Sequence, residues 1–323
     1  MSLHPALAAV RRGVRAALAD LEPGDAVLVA CSGGCDSLSL MAATVFEGRK
    51  AGVRVIGVTI DHGLQEDSRS HAARVVEQMA ELGADETATA RVEVRGGGEG
   101  PEAAARRARY DVLEQMREHF GAALVLLGHT RDDQAETVLL GLARGSGGRS
   151  IAGMRRSYDH YVRPLLDVSR DDTVTACQVE GIEVWEDPHN LDPGYARVRV
   201  RRTVLPVLEE QLGPGVAAAL ARTADQVRED VDALDALAAA AHAELGAAGG
   251  GLPLEGLCAL LPAIRSRVLR LAALQAGAID SELFHVHVRA LGDLAARRVS
   301  GDVQLPGHVT AHVDDGQLRF RAT

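Results

Sequence analysis

The residues with the clearest chemical potential are Ser-Gly-Gly-Cys-Asp-Ser at 32–37. A short apolar run with β-branched valines, 26–31, precedes them and is typical of a buried strand. The apolar residues that follow suit the first turn of a helix. Small residues between a strand and a helix let backbone N–H groups approach an anion, and hydroxyls and the helix amino end add to its binding. The segment therefore predicts a phosphate-binding loop.

This loop differs from the common mononucleotide-binding loop, which requires Gly-x4-Gly-Lys-Ser/Thr. No lysine follows it, and Lys50 is the only lysine in the chain. The loop instead resembles the pyrophosphate loop of the N-type ATP pyrophosphatases, which cleave ATP to AMP and pyrophosphate. Asp36 fits that resemblance, since a carboxylate among phosphate donors suits a bound Mg2+ ion. The alternative is an ordinary strand-to-helix turn built of small residues.

A second polar segment, Gly-His-Thr-Arg-Asp-Asp-Gln-Ala-Glu-Thr at 128–137, lies where another predicted strand becomes a helix. His129, Asp133 and Glu136 are spaced i, i+4 and i+7, so a helical turn would place them on one face. A histidine with two carboxylates could bind a metal or a cationic amine. The alternative is helix capping, with Thr130 or Asp132 as the N-cap and acidic residues favoured by the helix dipole.

Strand and helix patterns alternate over residues 1–190, as in an α/β protein with an open, mostly parallel twisted sheet and helices on both faces. We predict strands at 26–31, 53–60, 88–94 and 124–127, one or two more near 161–162 and 182–184, and helices at 36–51, 68–83 and 101–120. Ligands bind at the carboxyl ends of the strands in such sheets. The loops at 32–37, 61–64 and 128–136 all fall there, so these distant segments should converge on one site.

The sequence changes character after about residue 203. Apolar residues recur at three- and four-residue steps over 216–241 and predict one long amphipathic helix. Such a stripe favours a domain core over a dimer seam. Helices near 254–276 and 281–297, with a tail at 301–323 that could end in a hairpin, complete a smaller, mainly helical domain. The predicted domains are 1–203 and 204–323.

The composition is that of an ordinary globular protein, with 46% hydrophobic and 25% charged residues among 323. No apolar run approaches the roughly 18 residues that span a bilayer. The amino end lacks the charged and apolar regions of a signal peptide. Four cysteines without a Cys-x-x-Cys pair indicate a reducing compartment. We expect a cytoplasmic protein without a membrane partner, and a homodimer stays open.

A net charge of −10 argues at first sight against nucleic acid, but the distribution of charge matters more than its sum. Arginines gather at 144–163 and again at 197–202, whereas acidic residues concentrate at 225–235. A basic face on an acidic protein is one interpretation of this pattern. The other is that the arginines are solvated or paired.

Taken in order, several segments resemble the tRNA(Ile)-lysidine synthetases, a family of N-type ATP pyrophosphatases. The motifs are Ser-Gly-Gly-x-Asp-Ser at 32–37, Asp-His-Gly-Leu at 61–64, Ala-Arg-x-x-Arg-Tyr at 105–110, Gly-His-x-x-Asp-Asp-Gln-Ala-Glu-Thr at 128–137, Arg-Gly-Ser-Gly at 144–147, Arg-Pro-Leu-Leu at 163–166, Glu-Asp-Pro-His-Asn at 186–190 and Tyr-Ala-Arg-Val-Arg-Val-Arg at 195–201. Each motif alone is weakly specific, but the ordered set over 26–206 is very specific. The chain is most similar to the short, two-domain members.

The resemblance implies both a fold and a reaction. The fold is an adenine nucleotide alpha-hydrolase-like sheet with a C-terminal domain that contacts tRNA. The reaction joins L-lysine to C2 of the wobble cytidine, position 34, of a tRNA(Ile) with a CAU anticodon. ATP first adenylates the cytidine C2 oxygen with loss of pyrophosphate, and the lysine ε-amine then displaces AMP. ATP, Mg2+, L-lysine and that tRNA are the implied cofactors and partners.

The resemblance also implies roles for residues at matching positions. Asp133 and Glu136 would hold the lysine, Arg109 would serve the activated cytidine, and Asp36 would hold Mg2+; we infer that His129 accepts the amine proton. For Arg109, a helix-surface arginine covering the sheet is the alternative. The residues implied at ATP are Ala30, Ser32, Gly33, Gly34, Asp36, Ser37, Ile60 and His62. The residues implied at the tRNA are Arg144, Arg197, Arg199 and Arg201.

Two positions depart from the family, and other functions compete with it. His189 stands where serine is usual, and Val198 stands where asparagine is common.

The alternative functions are a tRNA thiolase of the same fold, an amide synthetase with the same loop, and a non-catalytic nucleotide- or RNA-binding module. Thiolases generally need paired cysteines or an iron–sulfur cluster, whereas Cys177 and Cys258 lie far from the motifs. An amide synthetase would leave the arginine-rich segment 195–202 unexplained.

Overall fold

The computed structural model describes residues 3–61, 68–92, 101–145, 147–185, 191–246 and 251–323. Residues 101–105 are described by their backbone alone. The chain forms two compact units, which comprise Met1–Gly145 with Gly153–Ala224, and Ser146–Ala152 with Asp225–Thr323. The domain boundary expected after residue 203 stays a prediction. Within the described ranges, no helix is both long enough and apolar enough to cross a bilayer.

The first unit is built on a six-stranded sheet. Its strands are β1 (Ala26–Ala30), β2 (Arg54–Asp61), β3 (Glu86–Arg91), β4 (Leu124–Leu127), β5 (Ser157–Tyr158) and β6 (Tyr161–Val162). They lie in the order β3-β2-β1-β4-β6-β5, and all neighbours are parallel except β5 and β6. The predicted open, mostly parallel sheet is confirmed.

Helices connect these strands. In chain order they are α1 (Pro5–Ala17), α2 (Cys35–Ala51), α3 (Ser68–Glu81), α4 (Pro101–Phe120), α5 (Arg131–Arg144), α6 (Gly148–Ile151, in the second unit), α7 (Arg170–Glu180), α8 (Ala196–Arg199) and α9 (Leu205–Leu212). A π-helix, Val200–Val204, joins α8 to α9. Helix α10 (Val216–Gly246) begins in the first unit and continues in the second.

Strand β1 shows why helices cover both faces of this sheet. All five of its residues are buried. Val27 and Val29 belong to a core formed with α1, α2 and α7, whereas Leu28 belongs to a second core that includes Leu113 of α4. A near-continuous apolar run is typical of a parallel strand that is covered on both sides.

Strands β1 and β4 mark the point where the order of the sheet reverses, because β2 and β3 lie on one side of β1 and β4 lies on the other. Open parallel sheets bind ligands at such a point. The register pairs Ala30 with Leu127, so α2 and α5 both start at this edge. A Cβ added to Gly128 would lie 3.1 Å from backbone atoms of Asp36 and Ser37. The segments 32–37 and 128–136 are therefore side by side.

The second unit combines helices with a small antiparallel sheet. Besides α6 and most of α10 it contains α11 (Leu254–Ala259), α12 (Pro262–Gln275), a 3-10 helix (Asp280–Glu282), α13 (His285–Ala295), and strands β7 (Leu252–Pro253), β8 (Val303–Leu305), β9 (Val309–Asp314) and β10 (Gln317–Ala322). The strand order is β7-β10-β9-β8. Leu257, Val268, Leu291 and Leu318 are fully or almost fully buried in its core. The predicted long helix and terminal hairpin are confirmed.

The strand that we predict near 182–184 is wrong. Gly181 has a positive φ of 68° and ends α7, and the Ile182 N–H donates to the Cys177 carbonyl oxygen. Ile182 and Val184 pack against the first core without joining the sheet. This apolar run therefore closes a helix end and covers the core, which strand periodicity cannot distinguish from a short strand.

Helices α1 and α7 lie outside the predicted elements. Helix α7 has a recognisable signal, because Ser169 and Asp172 form a capping box at its amino end. The Ser169 hydroxyl donates to the Asp172 carboxylate at 2.6 Å and accepts from the Asp172 N–H at 3.1 Å. A Ser-x-x-Asp spacing before an apolar-periodic segment indicates a helix start.

Candidate active site

The loop 32–37 is held in shape by Ser37. Its hydroxyl donates to the Gly34 carbonyl oxygen at 2.9 Å and accepts from the Ser32 N–H at 3.1 Å. Gly34 is the N-cap of α2 and has no side chain to cap the first turn. The N–H groups of a helix amino end are donors for anions when no side chain caps them. The arrangement suits a bound phosphate.

Gly33 lets the neighbouring elements approach this loop closely. Its φ is +84°, and an added Cβ would lie 2.8 Å from Val75 and 2.9 Å from His71. His71 Nε2 lies 3.0 Å from the Ser32 carbonyl oxygen, and its ring contacts the Trp185 ring with 3.8 Å between centroids and 33° between planes. The Trp185 N–H donates to the Gly33 carbonyl oxygen at 3.1 Å. Helix α3 and the segment after α7 thus fix the loop from outside.

Asp36, in the first turn of α2, points its carboxylate at α7. Thr173 Oγ1 donates to Asp36 Oδ1, and Arg170 Nε and Nη2 each donate to Asp36 Oδ2 at 3.2 Å. Burial raises the pKa of Asp36, and Arg170 and Thr173 oppose that shift without cancelling it. The carboxylate therefore depends on its cationic neighbour to stay ionised.

Asp133 serves two purposes with its two oxygens. Asp133 Oδ2 accepts from the N–H and the hydroxyl of Thr130, the N-cap of α5, at 2.8 and 3.1 Å. Asp133 Oδ1 lies 3.0 Å from Arg170 Nη2 and 3.0 Å from Arg201 Nη2. Burial alone would raise the pKa of Asp133, but Arg170, the Thr130 N–H and further charges outweigh it and lower that pKa. Capping and cation binding thus occur together in one residue.

Glu136 lies one turn further along α5 and has no exposed side-chain surface. Arg201 Nε donates to Oε1 at 2.6 Å and Arg201 Nη2 donates to Oε2 at 3.1 Å. Arg170 Nη1 is 3.5 Å from Oε1, and Arg197 Nε is 3.9 Å from Oε2. A buried carboxylate is costly unless it is paired in this way. The position is therefore built for a cation.

Arg170 joins the two halves of the site. Its Nη2 lies 3.2 Å from Asp36 Oδ2 and 3.0 Å from Asp133 Oδ1, so the loop after β1 and the helix after β4 share one guanidinium. Burial lowers the pKa of Arg170, but the charges of Asp133, Asp36 and Glu136 outweigh it and raise that pKa. We call Asp36, Asp133 and Glu136 the carboxylate cluster.

His129 and Arg109 form a second polar group close to Asp133. His129 Nδ1 is buried and has no hydrogen-bond partner among the described residues. Burial, assisted by Arg163, Arg109 and Arg106, lowers the pKa of His129 to about 3. Burial likewise lowers the pKa of the Arg109 guanidinium. A neutral imidazole with a free nitrogen can accept a hydrogen bond, although the nearby guanidiniums disfavour its protonated form.

The remaining residues expected at ATP lie along the same edge of the sheet. Ala30 ends β1, and Ile60 is the penultimate residue of β2. Ser32 is exposed at the start of the loop. His62 lies outside the described residues. The expected nucleotide side of the site is therefore assembled from the ends of adjacent strands.

The residues expected at the tRNA separate into two kinds. Arg144 is exposed at the end of α5, and Arg199 is exposed and donates to the carbonyl oxygens of Pro193 and Gly194. Arg197 is exposed yet lies at the edge of the carboxylate cluster. Arg201 instead contacts that cluster directly. It lies in the π-helix, a rare element that often occurs at functional sites.

The donor set around Asp36 fits a magnesium ion that a nucleotide carries with it. Mg2+ usually takes one or two protein carboxylates and completes its shell with phosphate oxygens and water. Asp36 supplies one such carboxylate at the phosphate loop, with Asp133 across the shared guanidinium. Within the described ranges, no group of three or more histidine, cysteine, aspartate or glutamate side chains could hold a metal by itself.

The cysteine thiols near the loop 32–37 are protonated and therefore unreactive. Burial raises the pKa of Cys35 to about 11 and that of Cys177 to about 12, and it also raises the pKa of Cys31. The Cys177 thiol donates to the Cys35 carbonyl oxygen at 3.5 Å, so the expectation that Cys177 lies far from the motifs is wrong, because α7 packs against the start of α2. The thiolate is the reactive form of cysteine. These protonated thiols do not favour the thiolase alternative.

Two members of the site, Arg170 and Thr173, were absent from the predicted set. Both lie on the first turn of α7, which packs in the same core as α2, and both hold Asp36. The signal that could have found them is the capping box beginning at Ser169, which places a basic residue and a hydroxyl on one helix face immediately after the Arg-Pro-Leu-Leu motif.

Comparisons with known proteins agree with this geometry. Residues 7–208 match the family model ATP_bind_3, described as PP-loop domain. The chain is 51% identical to a tRNA(Ile)-lysidine synthase of Thermobifida fusca over 97% of both chains. It is 48% identical to one of Streptomyces coelicolor over 99% of both chains, and 50% identical to one of Salinispora tropica over 95% of this chain and 93% of that one.

A solved structure supports the fold independently. The U34-tRNA thiolase NcsA of Methanococcus maripaludis, with its 4Fe-4S cluster, matches with a TM-score of 0.58 over 69% of this chain and 80% of that one, at 18% identity. A likeness at that identity concerns the fold alone. Since sequence relatives cover nearly the whole chain at about half identity, the chain belongs to the tRNA(Ile)-lysidine synthase family.

Proposed function

We propose that the loop 32–37, the carboxylate cluster and the group around His129 form one active site, in which L-lysine is joined to the wobble cytidine of a tRNA(Ile) with a CAU anticodon. The chain is an ATP-using ligase of the tRNA(Ile)-lysidine synthase family. The observation that carries the site assignment is the guanidinium of Arg170, which contacts Asp36 of the phosphate loop and Asp133 of α5 together.

The phosphate loop would take the triphosphate of ATP. The amino end of α2 and the Ser32 hydroxyl would provide donors without a formal charge, and Ser37 would hold the loop in the shape that presents them. The cytidine C2 oxygen attacks the α-phosphorus of ATP, and pyrophosphate leaves into that loop. Donors that are fixed before the reaction stabilise the charge that develops on the leaving group. Asp36 would hold Mg2+, which supplies charge neutralisation at the phosphates when bound.

Asp133 and Glu136 would take the lysine substrate. Both carboxylates are buried and face guanidiniums, so this position already accommodates positive side chains. Ion pairs to the substrate ammonium would orient lysine without consuming it. The ε-amine, once deprotonated, attacks C2 of the adenylated cytidine, and AMP leaves with the former C2 oxygen.

His129 and Arg109 would face the activated cytidine. The unpaired His129 Nδ1 is free to accept the proton that the attacking amine releases. Because burial lowers the pKa of His129 to about 3, the imidazole is a weak base and would hold this proton only briefly. Arg109 would offset the negative charge of the adenylate phosphate.

The RNA would approach across the exposed arginines of the first unit. Arg197 and Arg199 are exposed, Arg197 lies at the edge of the carboxylate cluster, and Arg144 is exposed at the end of α5. The role of residues 204–323 in tRNA contact, a homodimer and a cytoplasmic location also stay predictions. Light scattering of the purified protein would test the homodimer.

The direct test is transfer of radiolabelled lysine to RNA. Transcribed tRNA(Ile) with a CAU anticodon is incubated with the protein, ATP, Mg2+ and labelled lysine. Label should enter the transcript and map to cytidine 34. A transcript with uridine at position 34 is the matched control and should stay unlabelled. Equal labelling of both transcripts, or no labelling of either by folded protein, would contradict the proposal.

A further inference from the structure

The carboxylate cluster is occupied by the protein's own cations. Arg170 and Arg201 both lie within 3.5 Å of Glu136, and both lie 3.0 Å from Asp133 Oδ1. The atoms that would receive a lysine ammonium are therefore already paired. A substrate cation can bind there only by displacing a guanidinium or by sharing its partners.

The two arginines differ in the carboxylates with which they pair. Arg201 pairs with Asp133 and Glu136. Among the described residues, Arg170 is the one cation that also pairs with Asp36, on the phosphate loop. A change of charge at the phosphate loop therefore acts on Arg170 directly. It acts on Arg201 only through other groups.

The backbone of Arg170 is held in place, whereas its side chain is partly exposed. The Arg170 N–H donates to Asp132 Oδ2 at 2.8 Å and lies in the capped first turn of α7. Its side chain keeps 21% of its surface exposed. Arginine is always charged and pairs with phosphate as readily as with carboxylate. A triphosphate on the neighbouring loop would compete for this guanidinium.

We propose that Arg170 is a positioning residue that couples the two substrates by exchanging partners. In the free protein Arg170 neutralises Asp133 and Glu136 and hinders lysine. When ATP binds, Arg170 turns from these carboxylates to the phosphates and releases the lysine position. ATP binding thereby strengthens lysine binding, and by linkage lysine strengthens ATP binding by the same factor. This inference rests on the proposed lysine site.

The experiment measures lysine binding by calorimetry to the full chain, with and without an ATP analogue that carries a methylene between its α- and β-phosphorus atoms, in the presence of Mg2+. For the wild-type protein the analogue should lower the lysine Kd at least about fivefold, the lower end of typical couplings between sites. In R170Q, lysine should bind at least about fivefold more tightly than to wild type without the analogue, and the analogue should change that Kd less than twofold.

R201Q is the matched control. It also removes a guanidinium from Asp133 and Glu136, so it should also tighten lysine binding without the analogue. Since Arg201 does not pair with Asp36, R201Q should keep the wild-type effect of the analogue. If the analogue acted only by direct attraction between lysine and its own negative charge, its effect on the lysine Kd would survive in both variants. A wild-type effect of the analogue in R170Q would therefore overturn the proposal.

Two further outcomes are decisive. If R170Q does not fold, R170K is tested by the same criterion, because one ammonium cannot hold Asp36 and Asp133 in the way a guanidinium does. A wild-type effect of the analogue on the lysine Kd of R170K would overturn the proposed exchange of partners. If wild-type protein binds no lysine with or without the analogue, the proposed lysine site fails together with this inference. If it binds lysine and R170Q retains the coupling, only the exchange fails.

Discussion

The phosphate loop and the carboxylate cluster lie side by side but are built in opposite ways. The loop 32–37 is a contiguous segment that depends on backbone groups, small residues and the end of α2. The carboxylates of the cluster come from α2 and α5, and the guanidiniums that neutralise them come from α7 and the π-helix. The loop presents unpaired backbone donors that suit an anion, whereas the carboxylates of the cluster are already paired with the protein's own guanidiniums.

This difference indicates where each kind of substitution should act. Changes in the loop should affect the step in which ATP is used, because the donors there are fixed in advance. Changes in the cluster should affect the binding of lysine, since we propose that lysine binds at Asp133 and Glu136. Asp36 belongs to both regions and should therefore be the most sensitive position.

Asp36→Ala should have the largest effect. It removes the carboxylate that would hold Mg2+ and leaves Arg170 paired only with α5. We expect tRNA-dependent pyrophosphate release to fall by about three orders of magnitude, the upper range for losing one fixed electrostatic partner. Asp132→Asn is the control, since Asp132 accepts only the Arg170 N–H among the bonds described. An Asp36→Ala protein that keeps more than a tenth of the wild-type rate of pyrophosphate release would contradict the assignment of Asp36 to the active site.

Glu136→Gln should mainly raise the KM for lysine. The substitution keeps the shape of the side chain but removes a fully buried charge that pairs with Arg201. Losing one partner of a buried charge pair costs about 2–5 kcal/mol in binding, so we expect the KM to rise at least thirtyfold. The rate of adenylation without lysine should change much less. If adenylation falls as far as lysine binding does, the two regions are not separable.

Gly33→Ala should destabilise the loop, whereas Gly34→Ala should not. Gly33 has a φ of +84°, and an added Cβ would be 2.8 Å from Val75; at Gly34, whose φ is −81°, the nearest atom would be 3.8 Å away. A left-handed alanine costs roughly 1–2 kcal/mol before any clash. Chemical denaturation should show this loss for Gly33→Ala alone. Equal stability of the two variants would mean that the loop is less constrained than its contacts indicate.

His129 should make the protein less stable in acid. Its pKa in the folded protein is about 3, below the ordinary value of 6.5, so the unfolded chain binds the proton first. Stability is complete above pH 6.5 and falls as the pH drops toward 3, by about 2 kcal/mol at pH 5. His129→Gln should remove this part of the acid dependence in denaturation curves.

The control for that measurement is His119→Gln, at an exposed histidine of the same unit. It should keep the wild-type dependence on pH. The result would contradict our account if His129→Gln and wild type lose stability in parallel between pH 6.5 and 5.

Cys35→Ala should have the smallest effect. Its thiol is protonated at neutral pH because burial raises the pKa to about 11. The side chain makes only weak sulfur contacts, at 3.6 Å to Asp36 and 3.8 Å to Thr173. We expect transfer of lysine to tRNA within about threefold of wild type. Abolished transfer in a folded Cys35→Ala protein would revive the thiol-dependent alternative.

The same contrast explains how much the sequence could predict. The loop, its strand and its helix follow from local pattern, because the residues that form them are neighbours in the chain. The position of Asp133 and Glu136 on one helix face follows from their spacing, but the prediction that His129 shares that face is wrong, because His129 precedes the N-cap Thr130 and lies outside α5. Arg170 and Arg201 could not be paired with these carboxylates from sequence, since long-range charge pairing depends on the sheet order and on a π-helix. The false strand at 182–184 fails for a related reason, because an apolar run that closes a helix resembles a buried strand.

The most direct test of the central claim, that ATP and lysine are used in one site on one RNA base, is steady-state release of pyrophosphate. We expect rapid release only when ATP, lysine and tRNA(Ile) with a CAU anticodon are all present, and we expect that glutamine cannot replace lysine. Pyrophosphate release that is equally fast without RNA, or with glutamine in place of lysine, would contradict it.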